Sequence, residues 1–485
     1  MISRLLTVLA LALAAALATA LPASADGTGE VGIEAGEITL SGAQDREAVA
    51  RGWRDMGVDY VRVQAYWDAI APSPRSRVKP RGFVATNPNR RYNWGQLDRA
   101  VDLVVRNGMK VMLTIHQSGP VWASAEPRFN KGSRKPKPAE FGYFARAVAT
   151  RYGSRVNRYL AGNEANQGLF LSPQTVCVRG RCERLGPSMY RELVRAAYRQ
   201  IKRADRNAQV LIGELAPIGS ARPRAASLAP LPFLRGMGCL DDRLRRITTG
   251  SCRRFIPAKG DGFGYHPYGV RARPDQPNRD RNLAKIGDLP RLLSTLDAVT
   301  TRRRIIAPRN RFNLYLTEFG YETNPPDRRN GVSFTLQSRF LQQAAYIAYL
   351  QRRVKLITQY QWRDDAGTAR NRSLGFQTGL LTFDNRAKPS LASFPHQFFI
   401  DTRRGRLWGQ VRPGGGNTVT IERRAAGGSG FAPVAGGVQT NGGGYFWLRA
   451  AGQVEGGLVR GGATYRYTYT NPLTGQFASS EELTP

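Results

Sequence analysis

Eight short apolar runs of β type recur along the chain up to about residue 400, each followed by a helical pattern. This alternation constrains the fold more than any other feature. The runs lie at Val31–Glu34, Tyr60–Gln64, Lys110–Ile115, Arg158–Asn163, Gln209–Glu214, Gly262–His266, Asn313–Glu318 and Leu356–Trp362. Several are apolar almost throughout, as strands covered on both faces must be. Between them the spacing predicts helices. Asn93 is placed to cap one that carries Leu97, Ala100, Val101 and Val104 on one face and ends at Gly108. A second carries Leu336, Phe340, Leu341, Ala344, Ile347 and Ala348 on one stripe, and a third lies near Phe141–Tyr152. Strand–helix repetition implies a parallel sheet, and eight units suffice to close it into an α/β (β/α)₈ TIM barrel. An open doubly wound sheet fits less well, because no Gly-rich phosphate-binding turn follows the first run.

Beyond residue 400 the composition changes. Glycine becomes dense, charge thins, and the segments "RLWGQVRP", "NTVTIERR", "YFWLRAA" and "TYRYTYTN" are separated by turn clusters. This predicts a small C-terminal all-β, sandwich-like domain over 401–485, with the barrel over 26–400. The aromatic residues Trp408, Trp447, Tyr465 and Tyr467 either bind carbohydrate there or pack the domain.

Arg4, the apolar run Leu5–Leu17 and the small residues Ala23-Ser24-Ala25 have the order of a secretory signal peptide over 1–25, which implies a secreted, extracellular chain. No later run is long enough to span a bilayer. Four cysteines in an oxidising compartment allow three disulfide connectivities; nearest-neighbour pairing gives Cys177–Cys182 and Cys239–Cys252. A metal site is disfavoured: there is no CxxC pair and the chain has three His. The formal net charge is +36. Such a field favours polyanions, but 62 of the 72 basic residues are Arg, a skew that GC-rich codons also produce.

The chemistry-bearing residues cluster at the C-terminal ends of the predicted strands, where a barrel's βα loops converge. Glu164 ends the fourth in "YLAGNEANQG" and Glu318 the seventh in "LYLTEFGYET". Cleaving a glycosidic bond needs two such carboxyl groups, one protonated to assist the leaving oxygen and one ionised toward the anomeric carbon. Arg62 on strand two supplies a cation that keeps a neighbouring carboxylate ionised. His116 closes strand three, and His266 and Tyr268 close strand six in "GYHPYG"; they are placed to orient a carboxylate and hydrogen-bond sugar hydroxyls. Trp362, in "QYQWRDD", offers an apolar platform for a sugar ring. Glu214 also ends a strand and is assigned a secondary or structural role; Glu322 is a loop residue, and His396 belongs to the last helix region.

In this set, in this order, residues 30 to 400 resemble clan A of the glycoside hydrolases, most closely the cellulase family, family 5, or its xylosidase-like relatives. The resemblance implies that Asn163 binds the sugar 2-hydroxyl, Glu164 is the acid/base and Glu318 the nucleophile of a retaining O-glycosidase acting on a β-linkage. Arg62 and His116 match the clan's polar residues on strands two and three, His266 and Tyr268 its strand-six element, and Trp362 its strand-eight Trp. "GLLTFDNRAKPS", with Lys388-Pro389, resembles the closing segment before the last helix. The chain departs from the pattern at Gly162, where family members often carry Trp.

No metal or organic cofactor is needed for this chemistry. The expected partner is a carbohydrate; no nucleic-acid motif is found, and a monomer is expected. The basic loops "RSRVKPRG" and "KGSRKPKP" would suit an acidic glycan, while Tyr66, Trp67 and Trp122 are placed to stack on sugars. The rival readings are a non-catalytic barrel that binds an envelope or extracellular glycan, and a transglycosylase using the same residues.

Overall fold

The computed structural model describes residues 29–41, 45–367, 375–458, 461–471 and 475–485. The signal-peptide segment lies outside the described residues. The chain separates into two compact units, one comprising Gly29–Leu391 and the other continuing from Ala392 to the C-terminus.

The first unit is a closed barrel of eight parallel strands: β1 Glu30–Glu34, β2 Tyr60–Ala65, β3 Lys110–Ile115, β4 Arg158–Ala161, β5 Gln209–Leu215, β6 Gly262–Tyr265, β7 Leu314–Phe319 and β8 Val354–Tyr360. Each pairs with its sequence neighbours, and β1 closes the ring against β8, with Glu34 opposite Tyr360 on one side and Arg62 on the other. Tyr60, Met112, Leu160, Leu211, Tyr315 and Leu356 form one buried apolar cluster from six of the strands. Inward residues recur every second position, so the next positions up β2, Arg62 and Gln64, carry the interior from an apolar layer into a polar one.

The helix expected after Asn93 runs from Gly95 to Arg106 and buries Leu97, Ala100, Val101 and Val104. Its N-cap is Trp94, not Asn93, whose backbone N–H is already given to the Ile70 carbonyl. The helix Phe334–Leu350 departs further from its expected stripe. Ser333 caps it, Phe340, Ala344 and Ala348 are buried, but so are Gln337, Ser338 and Gln342, while Leu336 is exposed. The cause is local. Gln337 donates to the Tyr321 carbonyl and accepts from Ser390, which turns this polar position toward the barrel.

Both expected disulfides are formed. Cys177–Cys182 bridges facing positions of a hairpin, Thr175–Val178 with Arg181–Arg184, in the loop after β4. Cys239–Cys252 closes the loop before β6. No helix among the described residues is long and apolar enough to cross a membrane.

The second unit holds a three-stranded sheet, β9 His396–Asp401, β10 Arg406–Val411 and β13 Tyr445–Arg449, and a four-stranded sheet, β12 Ala432–Gln439, β11 Thr418–Arg424, β14 Thr464–Thr470 and β15 Phe477–Ser479. Their inner faces share one core, in which Tyr467 packs edge-on against Phe398 and Phe446 of the other sheet. Of the four aromatics, Trp408, Tyr465 and Tyr467 are fully buried and pack the unit, whereas Trp447 is partly exposed beneath the Arg406 guanidinium. His396 begins β9 and does not sit in the helix Pro389–Ser393 that precedes it.

Candidate active site

The backbone at the C-terminal end of the barrel leaves regular strand geometry at the residues that carry chemistry. β4 stops at Ala161; Gly162 has φ 101° and Glu164 φ 42°. β5 repeats the pattern, with Gly213 at φ 105° and Glu214 at φ 48°. A non-glycine residue held there costs on the order of 1–3 kcal/mol and persists only where its surroundings fix it. Here the Glu164 N–H donates to the Glu214 carbonyl at 2.7 Å. Gln117 clamps Asn163 from both sides, donating to its carbonyl and accepting from its N–H, each at 2.7 Å. The broken alternation lets consecutive residues, Asn163 and Glu164, serve one cleft. It also accounts for Gly162: a Cβ there would stand 3.0 Å from the Tyr190 ring and 3.1 Å from Gln117, besides the positive φ.

Arg62 is the centre of the site, with its side chain wholly buried. Its Nη1 donates to Glu318 Oε1 at 2.6 Å and also to Glu34; its Nη2 donates to Asn163 Oδ1 at 2.8 Å and Glu214 Oε2 at 2.7 Å. Burial opposes a charge here, but the carboxylates of Glu34, Glu214 and Glu318 hold the guanidinium firmly protonated. Glu214 feels the reciprocal effect. Burial raises it, yet Arg62, His266 and the Thr317 hydroxyl (2.6 Å) bring it below the ordinary carboxylate range. Its structural assignment therefore describes a fully buried anion that ties β2, β5, β6 and β7 together.

Glu164 and Glu318 meet across His266. The His266 Nδ1 lies 3.0 Å from Glu164 Oε1 and 3.4 Å from Glu318 Oε2; its Nε2 is 3.5 Å from Glu214. Burial works against an imidazolium, but Glu318, Glu164 and Glu214 together push His266 up to about 10. In its protonated form the ring is a donor to these carboxylates. One donor-type atom from each of Glu164, His266 and Glu318 lies within 4.8 Å of the others. Tyr268 completes the hold on Glu318, donating to Oε2 at 3.0 Å.

Not every expected residue joins this cluster. His116 is buried at the cleft wall between the rings of Tyr66 and Phe170, and burial with the charge of Arg62 lowers it to about 4, so it is neutral. Trp362 packs its ring edge-on against the buried Trp53 and gives its backbone N–H to Glu37. Gln361, at φ 66°, breaks the alternation just before it. The aromatic residue that β8 contributes beside the carboxylates is Tyr360, 6.1 Å from Tyr268 ring to ring. Trp67 and Trp122 are core residues, Trp67 stacking on Phe144; of the three aromatics expected to meet sugar, Tyr66 is the exposed one. The basic loops are partly neutralised: Lys79 pairs with Glu140, and Arg134 and Lys135 with Glu126. The site also contains residues given no role from the sequence, Glu34, Gln64, Thr317 and Tyr360. Glu34 carried a signal, since it ends an apolar run just as Glu164 and Glu318 do.

Residues 24–219 match the family model of cellulase (glycosyl hydrolase family 5), a span that contains Arg62, His116, Asn163, Glu164 and Glu214 but stops before Glu318. No curated protein matches the chain. Among solved structures it is similar to a family 39 glycoside hydrolase from Bacteroides cellulosilyticus, with 14% identity and a TM-score of 0.48 over 91% of this chain and 81% of that one. It is similar also to a family 5 subfamily 18 protein from Streptomyces cattleya, solved with GlcNAc, at 16% identity and a TM-score of 0.48 over 75% and 78%. Xylanase 10B from Thermotoga maritima gives 16% identity and a TM-score of 0.45 over 75% and 93%.

Proposed function

We propose that the chain is a retaining O-glycosidase, with Glu318 as nucleophile and Glu164 as acid/base on a β-linked poly- or oligosaccharide. The observation that carries the reading is the closeness of the two carboxylates, with an oxygen of each inside the 4.8 Å group they form with His266. Retaining enzymes place their carboxyl groups about 5–5.5 Å apart, whereas inverting ones leave roughly 6.5–9.5 Å for a water. Glu318 is held by Arg62 and Tyr268, which aim it and favour its anionic form. Glu164 is held on one oxygen by His266 and is the more exposed of the pair, at 20% against 9% for the side chain. In the first step Glu164 protonates the departing oxygen while Glu318 bonds to the anomeric carbon. In the second Glu164 takes a proton from water, which displaces Glu318. Asn163 has its Oδ1 occupied by Arg62, so its amide NH₂ is the group left to donate to the sugar 2-hydroxyl. The leader-like N-terminus and two disulfides support an extracellular setting, with the barrel unit Gly29–Leu391, which ends before the boundary at 400 expected from composition, as the catalytic domain.

The test is turnover of a panel of aryl β-glycosides and polysaccharides by the wild type, Glu164→Ala and Glu318→Ala, with the first-formed anomer read by NMR. We expect retention, a loss of about 10²–10⁴-fold in Glu164→Ala, and azide rescue of Glu318→Ala to a glycosyl azide of inverted configuration. A first-formed inverted sugar from the wild type, or turnover persisting in both variants, overturns the assignment.

A further inference from the structure

A single guanidinium serves three carboxylates in this site, and two of them share one of its nitrogens. Arg62 Nη1 donates to Glu318 Oε1 at 2.6 Å and to Glu34 Oε2. Glu34 is 5% exposed, and its other oxygen accepts from Gln64 at 2.9 Å. Strand pairing fixes its position, because Glu34 is registered against Arg62 on β2 and Tyr360 on β8. Neither step of the double displacement needs Glu34.

We propose that Glu34 is a positioning residue for the nucleophile: it divides the charge of Arg62 with Glu318 through the two N–H groups of Nη1 before attack, and is the counter-ion left on that nitrogen while Glu318 is a glycosyl ester. The inference rests on Glu318 being the nucleophile. When Glu318 bonds to the anomeric carbon, the glycosidic C–O bond breaks, the Glu164 proton leaves with the departing oxygen, and the negative charge of Glu318 is lost. Arg62 would then face one anion fewer. An ionised Glu34 compensates, and in the transition state it adds negative charge near a ring that is becoming cationic.

The groups facing Glu34 are Arg62 from β2, Glu318 from β7, and the hydroxyls of Tyr66, Tyr268 and Tyr360. Burial is the largest influence and raises Glu34; Arg62 opposes it and Glu318 adds to it, leaving the carboxyl at about 7. Below that pH Glu34 is neutral and the guanidinium goes to Glu318, which makes it a weaker nucleophile. Above it Glu34 is an anion and attack is favoured. The glycosylation step should therefore quicken as pH rises through this value.

The experiment uses the aryl β-glycoside that the panel identifies, made with a dinitrophenolate leaving group that needs no proton from Glu164. kcat/KM, which reports the free enzyme, is followed from about pH 5 to about pH 9 for the wild type, Glu34→Gln and Glu34→Asp. We expect the wild type to rise about tenfold across neutrality, a difference of roughly 1.4 kcal/mol in barrier. Glu34→Gln should stay flat at the low-pH level of the wild type, and Glu34→Asp should keep the rise. A Glu34→Gln profile that keeps the rise, or that falls equally at every pH with an unchanged melting temperature, overturns the proposal. Azide rescue of Glu318→Ala is measured alongside. Its failure overturns the nucleophile assignment itself, whereas rescue together with an unaltered rise in Glu34→Gln overturns the role of Glu34 alone.

Discussion

The two units of the chain bury opposite kinds of residue. At the C-terminal end of the barrel Arg62, His266, Glu214 and Glu34 are out of solvent, while the second unit buries Trp408, Tyr465, Tyr467 and Phe398. Burying charge is costly and is sustained only by partners; burying aromatic surface stabilises directly. The first arrangement spends stability to hold charged groups in place, and the second gains stability from its core. An uncharged replacement at the centre of the first and a truncation at the centre of the second should thus fail in different ways.

The largest effect is expected from Arg62→Met. It removes the shared partner of Glu34, Glu214 and Glu318 and leaves buried carboxylates uncompensated, a loss of about 3–5 kcal/mol. It also removes an electrostatic donor from the nucleophile, worth on the order of 10²–10³ in kcat. Denaturant unfolding and turnover of the variant test both. A folded variant with near wild-type turnover would break the comparison on the barrel side.

Tyr467→Ala is the matching truncation in the second unit. Tyr467 is fully buried, touches Phe398 and Phe446, and gives its hydroxyl to the Gln410 carbonyl at 3.0 Å. Its loss should cost about 3–5 kcal/mol as for other large-to-small core changes, with kcat/KM on a soluble aryl glycoside unchanged. A fall in kcat/KM at a temperature where the variant is folded would show that the second unit does more than pack.

Most of the candidate site was legible because strand ends are legible. Apolar runs that stop at Glu164, Glu318 and His266 put those side chains at one end of the barrel, Arg62 lies inside the second run, and the structure joins them through hydrogen bonds and ion pairs. What escaped the sequence depends on single dihedral angles and on which side of a segment is covered. Continuing the strand-eight alternation from Leu356 through Thr358 and Tyr360 aims Trp362 inward, but the left-handed Gln361 interrupts it. Aromatic identity does not tell core from cleft, so Trp67 and Trp122 were placed on the wrong side, and Gln337 shows the reverse, a polar side chain buried for its hydrogen bonds. Glu34 went without a role because its partner Arg62 already had one in Glu318.

The pH dependence of stability should separate the units next. In the barrel, burial raises Glu34 and Glu37 to about 7 and Glu322 to about 8, while the surrounding carboxylates raise His266 to about 10. Each binds its proton more tightly folded than unfolded, so each contributes stability that is complete at low pH and is lost as pH rises through these values. In the second unit burial lowers His396 to about 4, so its contribution is present above the unfolded value and is lost as pH falls toward 4. His116 gives the barrel a similar acid limb. Between about pH 6 and about pH 9 calorimetry should therefore show the barrel transition falling by a few degrees while that of the second unit holds still. Two transitions moving together would remove the contrast.

The smallest effect tests a residue of the barrel that behaves like one of the second unit. Trp362 meets Trp53 edge to face, with centroids 6.1 Å apart and an interplanar angle of 76°. Such a pair contributes about 0.5–1.5 kcal/mol beyond its buried area. Phe keeps an aromatic edge, so Trp362→Phe should cost about 1 kcal/mol in unfolding free energy and leave KM and kcat unaltered. Tyr360 stands beside Tyr268 and the carboxylates, and Tyr360→Phe should do the reverse, raising KM about threefold to tenfold, the scale of one hydrogen bond, with little change in stability. If Trp362→Phe instead raises KM while the melting temperature holds, the ring faces the sugar, and the left-handed turn at Gln361 serves to present it rather than to withdraw it.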